Sequence, residues 1–386
     1  MPLAQQNPGL PIPPAEALEL SARLHALICK DIAAAGGWIS FARYMELALY
    51  APGLGYYSAG SRKLGPAGDF ITAPELSPLF GRALARQLAE LRQQGLPDIL
   101  ELGAGSGALA AVLLAELAAL DSLPERYAIL ELSADLRERQ CQHLLQTVPH
   151  LADRVQWLNS LPEQFSGVVL GNEVLDAVPA QRIRSDDGAI AELGVRVVEH
   201  ELVWTQQPAA NPLAAAARTL ALPDDYETEL NPAAAALVGS LAQRLKRGVL
   251  LFIDYGFPAH EFYHPQRNRG TLMCHYRHHA HADPFLWVGL QDITTHVDFS
   301  AIARAGAGLD LLGYTGQAQF LINCGITELL ATVPAEDAAR YAPLAAQAQK
   351  LLSPAEMGEL FKVIALGRDV AVPLLGFRRG DRSHTL

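Results

Sequence analysis

The run Asp98-Ile99-Leu100-Glu101-Leu102-Gly103-Ala104-Gly105-Ser106-Gly107 constrains this chain more than any other segment: an apolar strand, a turn of alternating glycines, then the Ala- and Leu-rich start of a helix. Glycine reaches positive φ without steric cost and lets the backbone come close to a ligand. The first N–H groups of the helix that follows have no partner within it. The segment therefore predicts a strand-turn-helix unit with an anion-binding end, the building block of a doubly wound sheet.

The surrounding pattern repeats that unit. Strands are expected at Asp98 to Leu102, Tyr127 to Leu132, Arg154 to Leu158 and Gly167 to Leu170, with helices at about Pro78 to Gln94, Gly107 to Leu120 and Ala134 to Thr147. Gly248 to Asp254 reads as a fifth, buried strand. Leu309 to Tyr314 and Phe361 to Leu366 supply the last two, with helices between them at about Ile326 to Leu352. Such alternation predicts an α/β fold, a parallel sheet covered by helices on both faces. Ile190 to Thr205 alternates and reads as an antiparallel excursion. Ahead of the sheet, Leu18, Leu24, Leu27, Ile28 and Ile32 recur at helical spacing until Gly36-Gly37 stops them. The expected organisation is a disordered lead-in (1–15), an N-terminal helical and loop cap (16–95), and a Rossmann-like domain (96–386) with insertions at about 180–230 and 257–300.

Half of the 386 residues are hydrophobic, enough for a sizeable core, and the formal net charge of -11 leaves no surplus of cations to neutralise a phosphate backbone. Nucleic acid is thereby disfavoured as a partner, and a cationic protein segment is favoured. The four cysteines are scattered without a CxxC pair, which points to a reducing compartment. Residues Met1 to Pro14 carry neither Lys nor Arg and match no signal or transit peptide. The longest apolar stretch, Leu109 to Leu120, falls short of the roughly 20 residues a membrane helix needs. The expectation is a bacterial cytoplasmic protein with no membrane insertion.

Candidate chemistry gathers at strand ends. Gly103, Gly105 and Ala108 satisfy the dinucleotide pattern G-x-G-x-x-G/A, so the loop admits NAD(P) as well as the methionine carboxylate of S-adenosylmethionine. Glu131 closes the second strand, where a carboxylate can accept hydrogen bonds from both ribose hydroxyls of either cofactor. After the fourth strand comes Asn172-Glu173-Val174-Leu175-Asp176; Glu173 and Asp176 are three apart, so one helical turn would present both carboxylates together. Paired carboxylates match the planar fork of a guanidinium, while Asn172 could bond adenine or substrate. Asp254 and Tyr255 end the fifth strand and could line a substrate path. His275, His278, His279 and His281 lack the carboxylate or second cysteine that would complete a zinc pattern, and read as a His-rich surface loop with no metal.

Taken together, Gly68 to Glu75, Glu101 to Gly107, Gly171 to Pro179, Asp254-Tyr255-Gly256 and Asp292 to Phe299 resemble, in order and over about Ala33 to Gly367, the MidA-like family of S-adenosylmethionine-dependent methyltransferases. The family includes a mitochondrial complex I assembly factor that methylates arginine. The resemblance implies a class I methyltransferase fold with S-adenosylmethionine as cofactor. Glu101, Gly103, Ala104, Gly105, Ser106, Gly107, Glu131 and Asn172 would hold it, and Asp69, Phe70 and Thr72 would close over it. Glu173 and Asp176 would be the catalytic pair, with Asp254 and Tyr255 lining the path of a protein arginine, a complex I subunit being the acceptor that the resemblance suggests. An NAD(P)-dependent oxidoreductase, or a non-enzymatic assembly factor on this fold, is the alternative.

Overall fold

The computed structural model describes residues 9–59 and 72–386, which form two compact units. One, the Rossmann-like unit, spans Ile71–Asp176, Ala235–Ala259 and Val297–Leu386; the other, the excursion unit, spans Met1–Phe70, Ala177–Ala234 and His260–His296.

Seven strands run across the principal sheet of the Rossmann-like unit: β1 (Asp98–Leu102), β2 (Arg126–Leu130), β3 (Val155–Leu158), β4 (Phe165–Asn172), β5 (Leu245–Phe257), β6 (Asp310–Gly316) and β7 (Phe361–Arg368); an eighth, the short Val297–Asp298, pairs with the end of β5. Their order is β3-β2-β1-β4-β5-β7-β6. The first five are parallel to one another, whereas β7 runs antiparallel to both β5 and β6. The expected parallel sheet is thus mixed. After β6 the chain passes through helices Gln317–Asn323, Ile326–Ala331 and Ala338–Leu352, and Met357–Leu360 then feeds it back in at the end β6 left by, with Gly316 opposite Lys362.

β1 is buried at all five positions, as a strand flanked on both sides and covered on both faces must be. Helices Pro78–Gln93 and Ala108–Ala119 share one core with Ile99, Val168, Leu170, Val249 and Leu251. A fully buried leucine there, such as Leu113, contributes about 2 kcal/mol by leaving water. Chain order reverses between β1 and β4, so the carboxyl ends of these two strands form the switch point at which doubly wound sheets bind ligands.

In the excursion unit the helix Ala15–Ala34 buries Leu24, Ile28 and Ile32 at a spacing of four, while Leu18 and Leu27 stay partly in water, a narrower stripe than the sequence suggests. Gly36 and Gly37 end it at φ +82° and +99°. A five-stranded antiparallel sheet follows, in which Ala189–Val198 and Glu201–Pro208 form a hairpin turning on Glu199 and His200, both at positive φ as a type I′ turn requires. The His-rich segment is also a hairpin, Met273–Tyr276 with His279–His281, and burial pushes the pKa of His275 down. Among the described residues no group of three His, Cys, Asp or Glu could hold a metal ion, and no helix is long and apolar enough to cross a membrane.

Candidate active site

The glycine turn leaves the carboxyl end of β1 with Gly103, Gly105 and Gly107 at φ +59°, +55° and +85°. Every second residue is therefore left-handed, a path that side chains resist and glycine follows freely. Gly107 is the N-cap of Ala108–Ala119, and a Cβ there would come within 3.3 Å of Gln140 Cα. Ala104 is buried, Gly103 is exposed, and the Ser106 hydroxyl donates to Glu75 on the short helix Ala73–Leu76. Thr72 is the N-cap of that helix. Asp69 and Phe70 lie outside the described residues.

Two carboxyls flank this turn from below and beside. Glu101 is 3% exposed in the middle of the sheet and accepts the Tyr127 hydroxyl at 2.6 Å. Burial pushes its pKa up to about 7, the Tyr127 bond pulls the other way, and the charge of Glu131 adds to the rise. Glu131, just past β2, is buried with its oxygens held apart: Oε1 accepts the Ser133 N–H at 2.8 Å, Oε2 the Gln140 amide at 3.1 Å. Burial raises its pKa against the pull of those donors.

Beside the glycine turn, at the end of β4, the chain enters a second loop. Asn172 donates to Glu173 Oε1 at 3.1 Å, and Glu173 itself sits at φ +54°, a conformation that costs a side-chain-bearing residue about 1 kcal/mol or more. Residues 173–176 form bends and a turn, so the helical turn expected to align Glu173 with Asp176 is absent. A third acid does the organising instead. Asp254, 1% exposed, lies inside β5, which runs on to Phe257 rather than ending at Asp254 and Tyr255; it accepts the N–H groups of Val174, Leu175 and Asp176 on Oδ2 at 3.1, 2.8 and 3.4 Å, and that of Tyr255 on Oδ1 at 3.0 Å. The Tyr255 hydroxyl in turn donates to Asp176, which is 5% exposed. Burial and then the charges of Asp176 and Glu173 push Asp254 well above the usual carboxylate range, against its backbone donors.

The structure thus brings Glu101, the three glycines, Glu131, Asn172, Glu173, Asp176, Asp254 and Tyr255 to the carboxyl ends of four adjacent strands. Asp254 lies under the loop it holds, with both oxygens turned to backbone, rather than on an open wall. Sequence reasoning missed Gln140, which bonds both Glu131 and the Gly105 carbonyl. Its signal was a polar residue one turn before Leu144, on the buried face of Ala134–Thr147.

Comparison with known proteins identifies the family. A family model described as "Putative S-adenosyl-L-methionine-dependent methyltransferase" matches residues 79–315. The protein arginine methyltransferase NDUFAF7, mitochondrial, of Mus musculus is 30% identical over 92% of this chain and 86% of its own, and the Drosophila melanogaster homolog 29% over 95% and 92%. A crystal structure from Burkholderia thailandensis bound to S-adenosyl-homocysteine is 52% identical, covers 98% of this chain and 100% of that one, and superposes with a TM-score of 0.95. The choice between cofactors that the glycine pattern leaves open is settled by these matches: the chain belongs to the S-adenosyl-L-methionine-dependent methyltransferase family.

Proposed function

We propose that this methyltransferase modifies an arginine side chain of a partner protein, with Glu173 and Asp176 as its catalytic carboxylates. The observation that carries the reading is the convergence of Glu173, Asp176 and Asp254 beside the glycine turn, on adjacent strands of one sheet. The relatives' names, protein arginine methyltransferase, point the same way.

The residues at the switch point fit the family's cofactor. The helix start after Gly107 suits its carboxylate, and the doubly held Glu131 suits its ribose hydroxyls. Glu101, Ala104, Ser106 and Asn172 complete the set we assign to it, with Asp69, Phe70 and Thr72 as the covering segment. When bound, the cofactor supplies a methyl group on a cationic sulfur. A guanidinium is a poor nucleophile because it stays protonated and delocalised. Glu173 and Asp176 hold it by its N–H groups, draw its electron density toward one nitrogen and take up the proton that nitrogen releases. Tyr255, bonded to Asp176, and Asp254 fix the direction of that acid. The narrower reading, a cytoplasmic enzyme acting on a respiratory complex I subunit, rests on the motif resemblance and defines the first acceptor to try.

The test is transfer of labelled methyl from S-adenosylmethionine to candidate acceptor proteins, followed by hydrolysis and separation of the methylated amino acids. Label in methylarginine, lost with Glu173→Gln, is the expected outcome. Label in lysine or in a carboxyl ester would refute the arginine assignment while leaving the methyltransferase intact.

A further inference from the structure

Gln140 and Leu144 are the buried residues of helix Ala134–Thr147, and Gln140 is wholly enclosed. Its amide is used on both sides. The Trp157 indole N–H donates to Oε1 at 2.9 Å, while Nε2 donates to the Gly105 carbonyl at 3.0 Å and to Glu131 Oε2 at 3.1 Å. An indole N–H can only donate, and a carbonyl can only accept. The amide therefore has one sensible orientation, with its nitrogen toward the glycine turn and Glu131.

From this geometry we propose that Gln140 is the positioning residue that makes Glu131 a reader of a vicinal diol. The proposal rests on the assignment of Glu131 to the cofactor ribose. With the Ser133 N–H on Oε1 and the Gln140 amide on Oε2, the carboxylate is tethered at both oxygens and cannot swing. A carboxylate offers about four acceptor sites, so each oxygen keeps capacity for a hydroxyl, and two neighbouring hydroxyls are engaged at once. Because the same nitrogen holds the Gly105 carbonyl, the diol reader and the glycine cradle are fixed in one register. Removal of the amide leaves Glu131 tethered by backbone at Oε1 and able to pivot, so that it grips a single hydroxyl. Trp157 acts one step further out, as the group that keeps the amide from turning over.

The test is isothermal titration calorimetry of the wild type, Gln140→Met, Trp157→Phe and Glu131→Gln with S-adenosylhomocysteine and with its 2′-deoxy counterpart. The wild type is expected to prefer the ribose ligand by about tenfold, the worth of one charge-assisted hydrogen bond. Gln140→Met brings that ratio close to one, chiefly by weakening the ribose ligand, and Trp157→Phe moves it the same way by a smaller factor. General damage to the site weakens both ligands alike, and an unchanged ratio in Gln140→Met overturns the proposal. Should Gln140→Met fail to fold, Trp157→Phe decides, a full wild-type ratio there counting against it. Absence of any preference in the wild type, or its survival in Glu131→Gln, removes the ribose assignment itself; loss in Glu131→Gln with retention in Gln140→Met removes only the role of Gln140.

Discussion

The loops after β1 and β4 leave neighbouring strands at the same end of one sheet, and both require left-handed backbone, yet they meet that requirement in opposite ways. The first places glycine at every left-handed position. The second places Glu173 there, at φ +54°. Where the proposed ligand meets the backbone, glycine solves the geometry and nothing is lost. Where the proposed chemistry needs the carboxylate, the residue must keep its side chain, and the strain has to be offset elsewhere. Asp254 supplies the offset by accepting the N–H groups of Val174, Leu175 and Asp176.

The contrast breaks first at Glu173. Glu173→Gln keeps the shape and removes the charge, and transfer should fall about a thousandfold, within the range of a lost acid-base group, while calorimetric affinity for S-adenosylhomocysteine stays within about twofold. Equal loss of both would move Glu173 into the cofactor site. Next comes Asp254→Ala, which strands four backbone N–H groups under the second loop; urea unfolding should show a loss of about 3 kcal/mol, and an unchanged midpoint would mean the loop holds itself. A comparable effect belongs to β1, just ahead of the first loop, and depends on pH. Glu101 has an ordinary pKa of 4.5 and about 7 when folded, so between those values the folded chain keeps a proton the unfolded chain has lost. Its contribution lowers stability as pH rises from about 4.5 to about 7, by about 2–3 kcal/mol, and is level beyond either limit. Glu101→Gln should flatten that stretch of the stability profile, and a wild-type slope in the variant would assign the effect to another group. The smallest test is the most direct. Glu173→Gly should raise stability by about 1 kcal/mol, and Gly105→Ala should lower it by about as much. Melting temperatures that move in the same direction for both would dissolve the contrast.

The first loop was legible because its requirement is written in residue type: alternating glycines after an apolar run admit few other conformations. The strands and helices around it were legible for a similar reason, since burial on both faces of a strand and one face of a helix leaves a periodicity. The direction of β7 was not, because Phe361 to Leu366 reads identically in either sense and only the path through Met357–Leu360 decides. Nor was the arrangement of the second loop. A spacing of three between Glu173 and Asp176 suits a helical turn, but the carboxylate that shapes the loop arrives from Asp254, about 80 residues away on another strand. Gln140 was hidden in the same way: its partners Gly105, Glu131 and Trp157 come from three different strand ends and are joined only by the fold.

The excursion unit draws on three separated stretches of chain, and its first helices close on its last. The Tyr44 hydroxyl, for example, donates to the carbonyl of Pro284, 240 residues later. On a ribosome adding about 5–20 residues per second, Tyr44 waits roughly 12–48 seconds for that partner to emerge, although Val195 and Leu202 of the same core are made sooner. The Rossmann-like strands β1 to β4 are made and can pair during that interval. Assembly of this protein therefore runs inside out along the chain, with the segment synthesised first among the last to be sealed, and its apolar faces are what a chaperone would meet.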